Sequence, residues 1–67
     1  MEIKIKKLGI ITVIFIISSD YKVIIKYFIG EEEVTIWNSL SHTQKTLIDN
    51  LCDLFFTENP ELIKWSY

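Results

Sequence analysis

Sixty-seven residues carrying seven basic and nine acidic side chains, net charge −2, make one small domain and leave no room for a second. Such a balance gives no polyanion-binding field, and a lone cysteine, Cys52, excludes an internal disulfide. Only Gly9 and Gly30 are glycines, which excludes a glycine-rich phosphate loop.

A chain this short buries only about 60% of the surface its unfolded form exposes, so the 49% hydrophobic content is a requirement of folding rather than an excess. Without a disulfide staple, a reducing compartment and a cytoplasmic protein are expected. The sequence lacks Ala and Arg and is rich in Ile and Lys. That bias reads as AT-rich coding, a feature of low-GC genomes, phages and mobile elements among them.

At the N-terminus, Lys4, Lys6 and Lys7 followed by the run Leu8 to Ile17 imitate the charged and apolar regions of a signal peptide. The cleavage pattern is poor, because Ile17 would stand at the −3 position before Ser19. The run is also far short of the roughly 20 apolar residues that span a bilayer. Strands are the better reading.

The first strand is expected over about residues 2–6, followed by a three-residue loop Lys7-Leu8-Gly9 with glycine in the left-handed position. That loop would set Ile5 opposite Ile11 and Ile3 opposite Val13. The second strand, about 10–18, alternates Ile11, Val13, Phe15 and Ile17 with Ile10, Thr12, Ile14 and Ile16. A three-residue loop Ser19-Asp20-Tyr21 then pairs Ile17 with Val23, Phe15 with Ile25, Val13 with Tyr27 and Ile11 with Ile29. The third strand, about 22–29, ends at Gly30-Glu31, a pair suited to a two-residue type II′ turn. This turn sets Ile29 against Glu32 and Phe28 against Glu33, and the fourth strand is expected to run to about residue 37, with Ile24 facing Trp37.

Ser41 and Gln44 have the spacing of a capping box. Leu47, Ile48, Leu51, Leu54 and Phe55 recur at three- and four-residue spacing, and Cys52 and Phe56 widen the stripe. A helix over about 42–57 follows, ended by Asn59-Pro60, since a residue before proline is pushed out of the α region. The apolar tail 61–67 is expected to dock as a short helical turn or strand. The fold class is therefore α+β: a four-stranded antiparallel β-meander with one C-terminal amphipathic helix packed on one face.

The residues that could carry chemistry do not converge. His42 and Cys52, the sole histidine and cysteine, are about 15 Å apart along one helix, whereas a nucleophile and its base need a separation of roughly 3 Å. Asp49 and Asp53 form a like-charged pair on the polar helix face, with no third ligand at metal-binding spacing. Glu31, Glu32 and Glu33 sit at a hairpin tip, where charge runs are solvated and oppose edge-to-edge aggregation. No enzyme, cofactor or metal is expected.

Charge is unevenly distributed. Up to Gly30, Lys4, Lys6, Lys7, Lys22 and Lys26 against Glu2 and Asp20 give +3; from Glu31 onward, Lys45 and Lys64 against seven acidic residues give −5. The sheet is apolar on both sides and only one helix is available to cover it. Its outer face gathers Ile10, Ile14, Ile16, Ile24, Phe28 and Trp37 among lysines, with Lys4 and Lys6 expected there too, the pattern of an interface core and rim.

The expected function is a small non-enzymatic protein-binding module that forms a homodimer or meets another protein through this face. An acidic patch of Glu31, Glu32, Glu33, Asp49 and Asp53 would steer it to a basic partner. An inhibitor of a host or defence enzyme, encoded by a phage or mobile element, is the specific form expected. Two alternatives come from other classes: a single-stranded nucleic-acid-binding accessory protein, stacking bases on Phe28 and Trp37, and a short membrane-associated or secreted peptide.

Overall fold

A computed structural model describes residues 1–64. Strands β1 (Glu2–Leu8), β2 (Ile11–Ile17), β3 (Lys22–Ile29) and β4 (Glu32–Glu33) follow one another as an antiparallel meander, and helix α1 (His42–Glu58) packs on one face. A two-residue strand β5 (Ile63–Lys64) pairs in parallel with Lys22 and Val23 of β3. The α+β meander expected from the sequence is the observed architecture. Of the short helical turn or strand expected in the tail, a two-residue strand occurs at β5, and residues 65–67 lie outside the described residues.

The central hairpin forms in the expected register, with Ile17 opposite Val23, Phe15 opposite Ile25, Val13 opposite Tyr27 and Ile11 opposite Ile29. Its loop is closed by the Ser18 N–H donating to the Lys22 carbonyl at 2.9 Å and the Tyr21 N–H donating to the Ser18 carbonyl at 3.1 Å. Tyr21 supplies the left-handed residue of this loop at φ +66°, a conformation costly for a side chain with a Cβ. The Ser18 hydroxyl donates to the Asp20 carboxylate, and this bond, aided by nearby Lys22, holds the Asp20 pKa below the usual carboxylate range.

The β1–β2 turn differs from the expectation. Leu8 pairs with Ile11, so the loop is the two-residue Gly9-Ile10, with Gly9 at φ +61° in its first position. That is the same glycine-first turn that Gly30, at φ +62°, makes between β3 and β4; its twist matches that of the flanking strands. Ile5 thus moves from opposite Ile11 to opposite Ile14, and because side chains alternate, a shift by this odd number of residues exchanges the two faces of β1. Ile3 and Ile5 stand beside Ile16 and Ile14 on the outer face, while Lys4 and Lys6 stand beside Phe15 and Val13 on the helix side. The lysines find partners there: Lys6 pairs with Glu58 and Lys4 donates to the Asn59 side-chain oxygen at 3.0 Å.

The fourth strand is shorter than expected. Beyond Glu33 a single further bond, Val34 N–H to the Tyr27 carbonyl at 2.8 Å, continues the ladder. The expected pairing of Ile24 with Trp37 does not form. Instead Trp37–Ser39 turns as a short 3₁₀ helix, closed by the Ser39 hydroxyl and N–H donating to the Ile36 carbonyl at 2.7 and 3.1 Å. A serine that bonds its own neighbouring backbone competes with strand pairing, and the turn delivers Leu40 into the core.

Helix α1 begins as expected. The Gln44 N–H donates to the Ser41 hydroxyl at 3.2 Å and the Ser41 N–H to the Gln44 side-chain oxygen at 3.0 Å. At the other end both the backbone and side-chain N–H groups of Asn59 donate to the Phe55 carbonyl, at 3.0 and 2.9 Å, before Pro60 stops the helix. Ile48, Leu51, Cys52 and Phe55 are buried and Leu47 and Phe56 partly so, whereas Leu54, expected in the stripe, faces outward. The core is the meeting of this stripe with Ile11, Val13, Phe15, Ile17 and Val23, closed at one end by Leu40. No buried side-chain nitrogen or oxygen among the described residues lacks a hydrogen-bond partner.

Candidate functional site: the outer face of the sheet

With α1 on one face, the opposite face of the sheet has no cover among the described residues. Strand alternation and pairing arrange it in rows: Ile3, Ile16 and Ile24; Ile5, Ile14 and Lys26; Lys7, Thr12, Phe28 and Glu33. Its centre on β2 is shielded by its own neighbours, so Thr12, Ile14 and Ile16 are half-buried. Its flanks are open, with Ile3 59%, Ile5 56% and Ile24 46% exposed. By the usual transfer scale, each isoleucine removed from water here would contribute about 1 to 2 kcal/mol to whatever covers it.

Of the six residues expected to form this face, the structure brings Ile14, Ile16, Ile24 and Phe28 together. Ile10 lies in the Gly9-Ile10 turn, exposed, with its carbonyl accepting the Gly30 N–H at 2.8 Å. Trp37 is elsewhere: its ring lies 5.5 Å from that of Tyr27, a residue of the helix-side set. Two residues absent from the expected interface, Ile3 and Ile5, belong to it. The signal that could have placed them is the parallel between Gly9-Ile10 and Gly30-Glu31, two glycine-first dipeptides between alternating runs.

The five acidic residues proposed from the sequence fall at two places. Glu31, Glu32 and Glu33 are exposed at the β3–β4 tip, and Asp49 and Asp53 are exposed one turn apart on α1. Asp49 is near enough to the Tyr27 phenol to oppose its ionisation. Burial chiefly, with Cys52 and Asp49 adding, raises the Tyr27 pKa above its ordinary value.

Cys52 is buried in the core and His42 is exposed at the first position of α1. No group of three or more potential metal ligands occurs among the described residues. Two depressions beside β1 are grooves open to solvent. One, about 460 Å³, is lined by Lys4, Ile5, Lys6, Phe55, Glu58 and Asn59. The other, about 290 Å³, lies between the strand ends and the Asn59–Leu62 segment. The lysines in the first are already engaged by Glu58 and Asn59, so it presents a compensated surface. No helix among the described residues is long and apolar enough to cross a membrane. The chain matches no protein-family model, no curated protein and no solved structure.

Proposed function

We propose that this protein works by contact rather than by catalysis, as a small binding module whose outer sheet face is covered by another protein surface. The observation that carries this reading is the patch of exposed or half-exposed Ile3, Ile5, Ile14, Ile16, Ile24 and Phe28, spread over three adjoining rows opposite the helix. Isolated apolar residues on a surface are ordinary, whereas a contiguous apolar patch rimmed by polar side chains marks an interaction site. Lys7, Lys26 and Glu33 supply that rim.

The specific form of this reading is a cytoplasmic inhibitor, encoded by a phage or mobile element, that blocks a host or defence enzyme. The AT-rich composition and the acidic Glu31–Glu33 and Asp49/Asp53 groups support it, since acidic surfaces steer association with basic ones. The nucleic-acid reading loses its main support, because Phe28 and Trp37 do not share a face and Lys4 and Lys6 point to the helix side.

Position-specific photo-crosslinking tests the proposal. A crosslinking side chain at Lys26, on the rim beside Ile14, should form a protein adduct that Ile5→Glu abolishes, while the same probe at Asn50 on α1 forms none. Adducts formed equally from both positions, or from neither, would overturn it.

A further inference from the structure

We infer that the outer face is covered by a second copy of this chain, packed sheet against sheet about a two-fold axis that runs along β2. The inference rests on the contact reading above and names the partner. Self-association through a face must be isologous, so each residue meets the one that the axis brings over it. Two in-plane axes keep the strands of the two sheets aligned, and the charges on the face choose between them.

An axis across the strands would stack Lys26 on its own copy and place Lys7 over Ile3, leaving Glu33 without a partner. An axis along β2 exchanges β1 with β3 and keeps every row in register. Ile14 and Ile16 then meet their own copies, Ile3 meets Ile24, and the Lys26 stem lies over Ile5. Lys7, on the β1 side of the third row, comes to the Phe28 and Glu33 side of the other copy. Its ammonium gains a carboxylate and a ring face. Neither Lys7 nor Glu33 has an ion-pair partner among the described residues. The strands of the two sheets run nearly aligned in this arrangement, which is one of the two stable ways that sheets stack.

Edge-to-edge growth, the competing route to a dimer, is opposed by β1 itself. Its Lys4 and Lys6 project to the helix side and are tied to Asn59 and Glu58, and inward-pointing lysines are a known means of blunting an edge strand. Area also permits the stacked arrangement. A face of three strands of seven or eight residues, with β4 at its border, offers on the order of 500 Å² per copy, about the 1,000 Å² in total that a specific interface needs.

Sedimentation equilibrium on the purified chain decides the matter. The unmodified protein should show twice the monomer mass at micromolar concentration. Lys7→Glu alone and Glu33→Lys alone should each weaken the dimer about ten-fold, since reversal acts twice in a symmetric pair. The double variant should recover to within about three-fold of the original. Both side chains are exposed, so melting curves should confirm that all three variants fold. Failure of the double variant to recover would overturn the assigned axis, and a monomer at millimolar concentration would overturn the second copy as occupant. A monomer whose Lys26 probe still captures a different protein, with Ile5→Glu abolishing capture, would leave the contact reading intact; a monomer without capture would remove both.

Discussion

The rings of Phe15, at the centre of β2, and Phe55, in the last turns of α1, lie face to face with centroids 3.8 Å apart and planes 4° from parallel. Phe56 meets both edge-on, at 6.3 Å from Phe15 and 5.1 Å from Phe55. Face-to-face stacking is not the arrangement that ring quadrupoles prefer, so the neighbouring edge contacts are part of what makes it favourable. Phe15 and Phe55 are both fully buried, and this cluster fixes the helix on the middle strand. Phe55→Ala should cost about 3 to 5 kcal/mol, which approaches the entire stability of a domain of this length at roughly 0.1 kcal/mol per residue. Circular dichroism should find the variant largely unfolded at room temperature. A cooperative melt displaced by only a few degrees would show that the helix is anchored elsewhere.

Tyr21 holds φ +66° in the β2–β3 loop with its side chain exposed. Glycine adopts that conformation without steric cost, so Tyr21→Gly should stabilise the folded chain by about 0.5 to 1 kcal/mol, after allowing for the extra freedom glycine gains when unfolded. Chemical denaturation should show a raised midpoint at unchanged slope. A lowered midpoint would mean that the tyrosine ring contributes more than its backbone costs.

The reciprocal cap at Ser41 and Gln44 satisfies two N–H groups at the start of α1. Ser41→Ala removes the acceptor for the Gln44 N–H and should destabilise by about 1 kcal/mol, a fall of several degrees in the melting temperature of so small a domain. An unchanged melting temperature would contradict the role given to the cap.

Alkaline pH should weaken the fold through Tyr27. Burial first, then the proximity of Cys52 and Asp49, disfavours the phenolate and raises the folded-state pKa above the ordinary 10.0. A group whose folded pKa is raised contributes stability that is fully present below the unfolded pKa and lost as pH rises through the folded one. Denaturation midpoints should therefore fall above pH 10, and Tyr27→Phe should reduce that fall. An identical alkaline decline in the phenylalanine variant would assign it to other groups.

The β2–β3 register and the helix start were legible because several signals agreed on each: the alternation of Ile11, Val13, Phe15 and Ile17 matched that of Val23, Ile25, Tyr27 and Ile29, and Ser41 with Gln44 stood just before an apolar stripe. The β1 register was not, because Ile-Lys alternation in Ile3 to Lys6 is consistent with either face. What decides it is tertiary: Glu58 and Asn59 at the helix end receive lysines, and a glycine-first two-residue turn suits the strand twist. The early end of β4 was hidden in the same way, since Val34 to Trp37 has strand-like residues but must reach across to bury Leu40. An outer site read from strand alternation alone therefore includes Trp37 and leaves out Ile3 and Ile5.

The central claim, that a second copy of the chain covers the outer face, is tested most directly by the attenuation of isoleucine methyl signals by a soluble paramagnetic probe, measured across protein concentration. Ile36 is the internal reference, being 65% exposed and beyond the end of β4. As concentration rises, the methyls of Ile5, Ile14 and Ile24 should become protected while that of Ile36 remains fully attenuated. Ile5 and Ile24 methyls that stay as accessible as that of Ile36 at every concentration would contradict the account.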